Sequence, residues 1–225
     1  MSEMKIKAAR KAVEYVKDGM ILGLGTGSTT KFAVEEIGKL VSNGYDLVGI
    51  PTSIETEKQA RSLNIPLTEL ECVDRIDLTI DGADEVDPNF NLIKGLGGAL
   101  LREKIVAYYS VNEIIIVDES KIVNQLGTRV SLPVEVTQFS HKKTKESIEK
   151  LGCVAQLRGS ESPFITDNGN MIYDCKFEGI SDPYDLALKL NSIPGVVENG
   201  LFLDLASHVV IGTKNETKVL EKKAY

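Results

Sequence analysis

The chain has 225 residues with a formal net charge of -7 and a pI near 5.1, enough for one large domain or a main domain plus a smaller one. The acidic balance argues against a nucleic acid or an anionic membrane as partner, and an anion-binding site must gather its cations locally. Three scattered cysteines with no CxxC pair, a charged N-terminus with no apolar signal region and no apolar run of membrane-spanning length predict a soluble, cytoplasmic protein without disulfides.

In chain order, a helix starts after Ser2, with Ile6, Ala9, Val13 and Val16 near a 3.6-residue period, and Lys17-Asp18-Gly19 ends it. "MILGL" (20–24) reads as an apolar strand, followed by a helix from about Thr29 to Val41 with Asn43-Gly44 as its stop. A strand at 46–50, a helix from Ser53 to about Leu63, a strand "RIDLTI" (75–80), a helix "GALLREKIVAYYS" (98–110) and a strand "EIIIVDES" (113–120) continue the alternation. Strands alternating with helices predict βαβ units and a parallel sheet.

The pattern changes near Leu126-Gly127. "LPVEV" (132–136) is a strand, and Ser140 can cap a helix reaching Leu151, with Gly152 beyond its end. Strands 153–158 and 171–177 join through the turn sequence "DNGN". Asp182 and Pro183 open another helix, and "GVVENGLFL" (195–203) is the last strand of this group. The order β-α-β-β-α-β is ferredoxin-like. A strand at 208–213 and a short helix at 215–222 return to the first sheet. The predicted fold is therefore α/β: a doubly wound, mostly parallel, Rossmann-like sheet from 1–130 and 204–225, with a smaller inserted ferredoxin-like domain at 131–203.

"GLGTGSTT" (23–30) joins the first strand to the second helix, where backbone amides attract anions. A dinucleotide fingerprint would place a third glycine at 28, which is Ser, and an acid after the second strand, where "IPTS" stands. Hydroxyls at Thr26, Ser28, Thr29 and Thr30 suit a single terminal phosphate, or they merely cap the helix. Lys5 and Lys7 are two cations that could reach such a phosphate.

"DLTIDGADEVD" (77–87) puts five carboxylates into eleven residues at a strand end. It is a solvated acidic turn, a metal loop without the EF-hand spacing, or a partner of "NLIKGLGGALLREK" (91–104), which offers Lys94, three glycines and Glu103 on the following helix. Glu103 is either an exposed i,i+4 partner or a desolvated carboxylate able to act as general base, with Lys94 beside a developing oxyanion. His141 and His208 have no partner nearby in sequence and read as structural or surface residues.

Taken together, "GLGTGST", "TIDGADEVD", "KGLGGALLREK" and "SLPVEV", with "TDNGN" and "IPGVVENGLF" later, resemble the motifs of ribose-5-phosphate isomerase, type A, along nearly the whole chain. The resemblance implies interconversion of D-ribose 5-phosphate and D-ribulose 5-phosphate in the non-oxidative branch of the pentose phosphate pathway, without metal or organic cofactor, by a dimer or tetramer. It implies Glu103 as the base. Thr26-Gly27-Ser28-Thr29, Asp81-Gly82-Ala83-Asp84, Lys94-Gly95-Leu96-Gly97 and Lys121 become the substrate-binding segments. Leu96 departs from a run of three glycines, so the loop must take an ordinary conformation there, leaving its amide available. An aldose–ketose isomerisation explains these types: Glu103 moves a proton between C2 and C1, Lys94 and loop amides hold the enediolate oxygen, and Asp81 and Asp84 handle ring-opening protons or sugar hydroxyls. A non-catalytic sugar-phosphate-binding regulator of related fold is the competing reading, but the chain has no spare helical domain or basic face for DNA. All of this requires both glycine turns, the acidic corner and Glu103 to meet at one end of the sheet.

Overall fold

The computed structural model describes residues 2–159 and 161–222. In chain order its elements begin with α1 (Ser2–Val13), β1 (Ile21–Leu24), α2 (Thr30–Ser42), β2 (Val48–Pro51), α3 (Ile54–Ser62) and β3 (Ile76–Gly82). Next come β4 (Glu85–Val86), β5 (Leu92–Ile93), α4 (Leu100–Tyr108), β6 (Ser110–Asp118), β7 (Leu132–Val136), α5 (His141–Glu149) and β8 (Val154–Leu157). The remainder are β9 (Met171–Lys176), α6 (Pro183–Asn191), β10 (Val196–Asn199), β11 (Leu201–Phe202), β12 (His208–Gly212) and β13 (Thr217–Glu221). Among the described residues no helix is long and apolar enough to cross a membrane.

The chain divides into two compact units. The first comprises Met1–Ala83, Arg102–Lys121 and Leu205–Tyr225; the second comprises Asp84–Leu101 and Ile122–Asp204. The boundary expected at 130/131 places 84–101 and 122–130 with the first domain. In the structure β4 and β5 pair with β11 in a three-stranded sheet, which ties their segment to the second unit.

In the first unit the sheet order is β13-β12-β6-β3-β1-β2, parallel throughout except for β13. Alternation sends Leu22, Leu24, Leu78, Ile80, Ile114 and Ile116 to one face, where they bury against Ala9 and Ala12 of α1 and Val34 and Ile37 of α2. Each such fully buried aliphatic side chain contributes roughly 1.5–3 kcal/mol. The opposite face at β1 and β3 carries Gly23, Gly25, Thr79 and Asp81. Val106 of α4 covers it, since a Cβ on Gly23 would lie 2.7 Å from Val106 Cγ1 and 1.9 Å from Thr79 Oγ1.

In the second unit the four-stranded sheet runs β10-β7-β9-β8, every pair antiparallel. This is the fourth-first-third-second order of a split βαβ pair, with α5 and α6 as the crossovers. Val134, Val136, Tyr173 and Cys175 from the sheet pack with Ile148 and Leu190 from the helices.

Three local expectations are corrected. The segment 215–222 is not a helix: Thr217–Glu221 forms β13, paired with β12 from His208↔Glu221 to Gly212↔Thr217. A tight turn in which Thr213 N–H donates to Glu216 O (2.9 Å) makes that hairpin, and an available strand edge overrides the weak helical charge pattern. Ser140 does not cap α5 through its side chain; its backbone is left-handed at φ 53°, and backbone carbonyls take the first amides. "GVVENGLFL" is two strands in different sheets, broken at Gly200, where the chain passes so close to Lys94 O that a Cβ would sit 2.4 Å from it. Asp182 caps α6 as expected, its carboxylate accepting Asp185 N–H at 3.0 Å.

Candidate active site

In the first unit, β1 ends at Leu24 and the chain turns into α2 through Gly25–Thr29 at the carboxyl end of the parallel strands, the usual ligand end of such a sheet. Asp81, fully buried on β3, holds this turn: its Oδ1 accepts Thr26 N–H at 3.1 Å and Gly82 N–H at 2.7 Å. The approach is so close that a Cβ on Gly25 would lie 2.6 Å from the Asp81 Cα, which only glycine permits.

The hydroxyls of the loop do more than cap a helix. Thr29 occupies the cap position without a capping hydrogen bond. Thr26 Oγ1 lies 2.7 Å from Thr52 Oγ1, 2.8 Å from Ser53 Oγ and 3.1 Å from Thr56 Oγ1. This hydroxyl cluster fastens the turn to the start of α3, and sequence reasoning missed it; "PTS" after β2 drew notice only as the absence of an acid. Ser28 Oγ accepts from Lys5 Nζ at 2.8 Å, whereas Lys7 Nζ reaches Lys214 O at 3.2 Å and Glu3 at 3.0 Å. Lys5, not Lys7, is thus the lysine at the loop.

Glu103 is only 4% exposed, which removes the reading of it as a surface ion-pair partner. Tyr109 O, just past the end of α4, accepts Ile76 N–H at 3.0 Å, so the helix runs antiparallel to β3. Val106 sits over Gly23 and Thr79; three residues earlier, on the same side of the helix, Glu103 lies toward the strand ends bearing Gly25 and Asp81. Lys121 follows β6 in a short 3-10 turn, partly exposed.

In the second unit Lys94 is 2% exposed, its Nζ 5.2 Å from the centre of the Phe202 ring. The loop after it is anchored at both ends: Lys94 N–H donates to Gly200 O (2.9 Å) and Gly98 N–H to Gly95 O (3.0 Å). Gly98, at φ 81°, faces the Phe164 ring so closely that a Cβ would meet it at 2.5 Å. Leu96 has an ordinary backbone, as expected, but its amide is not available: it donates to Asp84 Oδ2 at 3.0 Å.

The acidic run therefore has a common logic. Asp77 accepts Ile21 N–H at 2.9 Å, Glu85 accepts the amides of Gly127, Arg129 and Val130 at 2.6–2.9 Å, and Asp87 accepts those of Asn89 and Asn91. With Asp81 and Asp84, all five carboxylates accept backbone amides, Asp77 at the start of β1 and the others in turns and loops, which is neither a solvated run nor a metal loop. Among the described residues no group of three metal-ligating side chains forms. His141 bonds Tyr173 OH at 2.7 Å and the His208 ring packs on Tyr15 at 5.4 Å, tilted by 58°, so both are structural.

Residues 48–216 match the family model described as Ribose 5-phosphate isomerase A (phosphoriboisomerase A). A ribose-5-phosphate isomerase A from Bacillus mycoides is 51% identical over 97% of this chain and 99% of its own length. The solved ribose 5-phosphate isomerase from Plasmodium falciparum superposes with a TM-score of 0.95 at 44% identity, covering 100% of both chains. A D-ribose-5-phosphate isomerase solved in complex with phospho-erythronic acid gives 0.94 at 45% identity over 97% of this chain and 98% of that one. The chain belongs to the ribose 5-phosphate isomerase A family.

Proposed function

We propose that this chain interconverts D-ribose 5-phosphate and D-ribulose 5-phosphate through a cis-enediolate, with Glu103 carrying the proton between C2 and C1. The observation that carries the assignment is the burial of Glu103 on the inner side of α4, toward the strand ends that bear Gly25 and Asp81. A carboxylate held out of bulk water can lift a carbon-bound proton without first shedding a hydration shell.

The reaction needs few parts. Ring opening breaks the C1–O4 bond as the O1 proton leaves and O4 gains one; Asp81 and Asp84 are the candidates for that exchange and for binding sugar hydroxyls. Glu103 then takes the C2 proton while the C1 carbonyl becomes an oxyanion, stabilised by the Lys94 ammonium and a loop amide. A proton passes from O2 to O1, and Glu103 returns its proton to C1. The terminal phosphate binds at Thr26–Thr29 with Lys5, giving binding energy remote from the reacting carbons. Lys121 contacts the same substrate.

The test is a coupled assay with ribose 5-phosphate in the presence of EDTA and in heavy water. Turnover is expected to persist, with deuterium at C1 of the ribulose 5-phosphate formed. Loss of turnover to EDTA, or product without label under slow exchange, would sink the enediolate reading. Lys5→Met is expected to raise KM for ribose 5-phosphate and the inhibition constant of inorganic phosphate by about tenfold or more, the loss of one charge-assisted contact. Lys7→Met should change neither, and equal effects from both would remove Lys5 from the phosphate site.

The protein works in the cytoplasm as a dimer or tetramer in this proposal. Cys72, Cys153 and Cys175 are free thiols, as a reducing compartment permits. Light scattering of the purified chain decides the assembly.

A further inference from the structure

Arg158 spans two partners within the second unit. Its Nε and Nη2 donate to the two carboxylate oxygens of Asp174, at 3.0 and 2.5 Å. Its Nη1 donates to Gly95 O at 2.8 Å and to Leu96 O at 3.1 Å. The arginine side chain is 14% exposed, and the Phe164 ring that blocks a Cβ on Gly98 also lies 5.8 Å from its Cζ.

Two successive carbonyls drawn to one guanidinium have a geometric consequence. In a trans peptide the N–H points opposite the C=O of the same unit. The N–H groups of Leu96 and Gly97 must therefore both point away from Arg158. The first of them already reports that direction, because Leu96 N–H reaches Asp84 Oδ2 at 3.0 Å. Gly97 N–H accordingly faces the same side as Asp84, one residue further along an exposed stretch of the loop.

We propose that Arg158, oriented by Asp174, is a positioning residue that aims the Gly97 amide at the enediolate oxygen. The inference rests on the isomerase reading above and deepens it by naming which loop amide acts and what directs it. Arginine suits the task because its rigid fork can satisfy a bidentate carboxylate and two carbonyls at once; a lysine has neither the reach nor the plane. Asp174 on β9 fixes the fork, so the loop takes part of its orientation from the sheet, beside the turn its own glycines make.

The experiment compares Arg158→Lys, Arg158→Met and Asp174→Asn with the unaltered protein. It measures kcat, KM, melting temperature, inhibition by inorganic phosphate, and inhibition by a four-carbon phosphorylated aldonate whose carboxylate mimics the enediolate. A misaimed amide is expected to lower kcat about 10- to 100-fold, with smaller change in KM. Aldonate affinity should weaken by the same factor as kcat/KM, as a transition-state contact requires, while phosphate inhibition stays within about twofold. Asp174→Asn should act in the same direction and less strongly. Should Arg158→Met not fold, Arg158→Lys carries the test.

The proposal is overturned if kcat and aldonate affinity stay within about threefold of the original in the folded Arg158 variants. It is equally overturned if phosphate and aldonate affinity fall together with the melting temperature, the signature of general loop support. Glu103→Gln run alongside separates the two levels. An active Glu103→Gln would remove the base assignment, whereas an inactive one beside normal Arg158 variants would remove only this inference.

Discussion

Replacing Glu103 with glutamine is expected to lower kcat by about 10²–10⁴-fold while KM for ribose 5-phosphate changes little. Glutamine keeps the volume of the side chain, so the buried position on α4 stays filled and the phosphate loop is untouched. What disappears is the ability to accept a proton from carbon. Binding energy from the phosphate and hydroxyls is realised before chemistry begins, which is why the loss should fall on turnover. A coupled kinetic assay with a melting curve checks it. Near-normal turnover in a folded variant would remove Glu103 as the base.

Lys94→Met should be the next most damaging single change, with kcat down by about 10²–10³-fold. Lys94 is 2% exposed, out of bulk water, where a charge acts more strongly on an oxyanion. Methionine retains an unbranched apolar stem against the Phe202 ring, so packing around β5 and β11 is largely kept. Loss of turnover with a preserved melting temperature supports an electrostatic role. A variant that keeps kcat within about twofold would show that the loop amides suffice without the cation.

Much of the fold was legible because it is written in local patterns. Short apolar runs bounded by glycine and charge marked β1, β3 and β6, and the 3.6-residue spacing in α1 placed Ala9 and Val13 on its buried face, though not Ala8 and Ala12. The glycine loop stood out by residue type and spacing, whereas Glu103 stayed open between an exposed ion-pair partner and a base until the family resemblance favoured the base; its burial then removes the first reading. What escaped depends on partners far along the chain. That Asp81 holds the Thr26 amide, 55 residues away, has no signature in either segment. Nor does the reach of Arg158 to Gly95 across 63 residues, or the choice of Lys5 over Lys7, which about half a turn of α1 sends to opposite sides. The backbone partners of the acidic run escaped in the same way. Its carboxylates are hydrogen-bond acceptors for turns that cannot satisfy their own amides. Likewise β13 read as a helix because its charges suit one; only the pairing with β12 makes it a strand.

That outermost strand has a consequence for crowded solution. A sheet that ends in a bare apolar ribbon invites another chain to add itself as the next strand. Here the ribbon ends in Lys218 and Glu221, and Leu220 stands half exposed between charges. A second copy docking there would have to strip water from side chains that gain nothing in return, so this margin discourages fibrous growth.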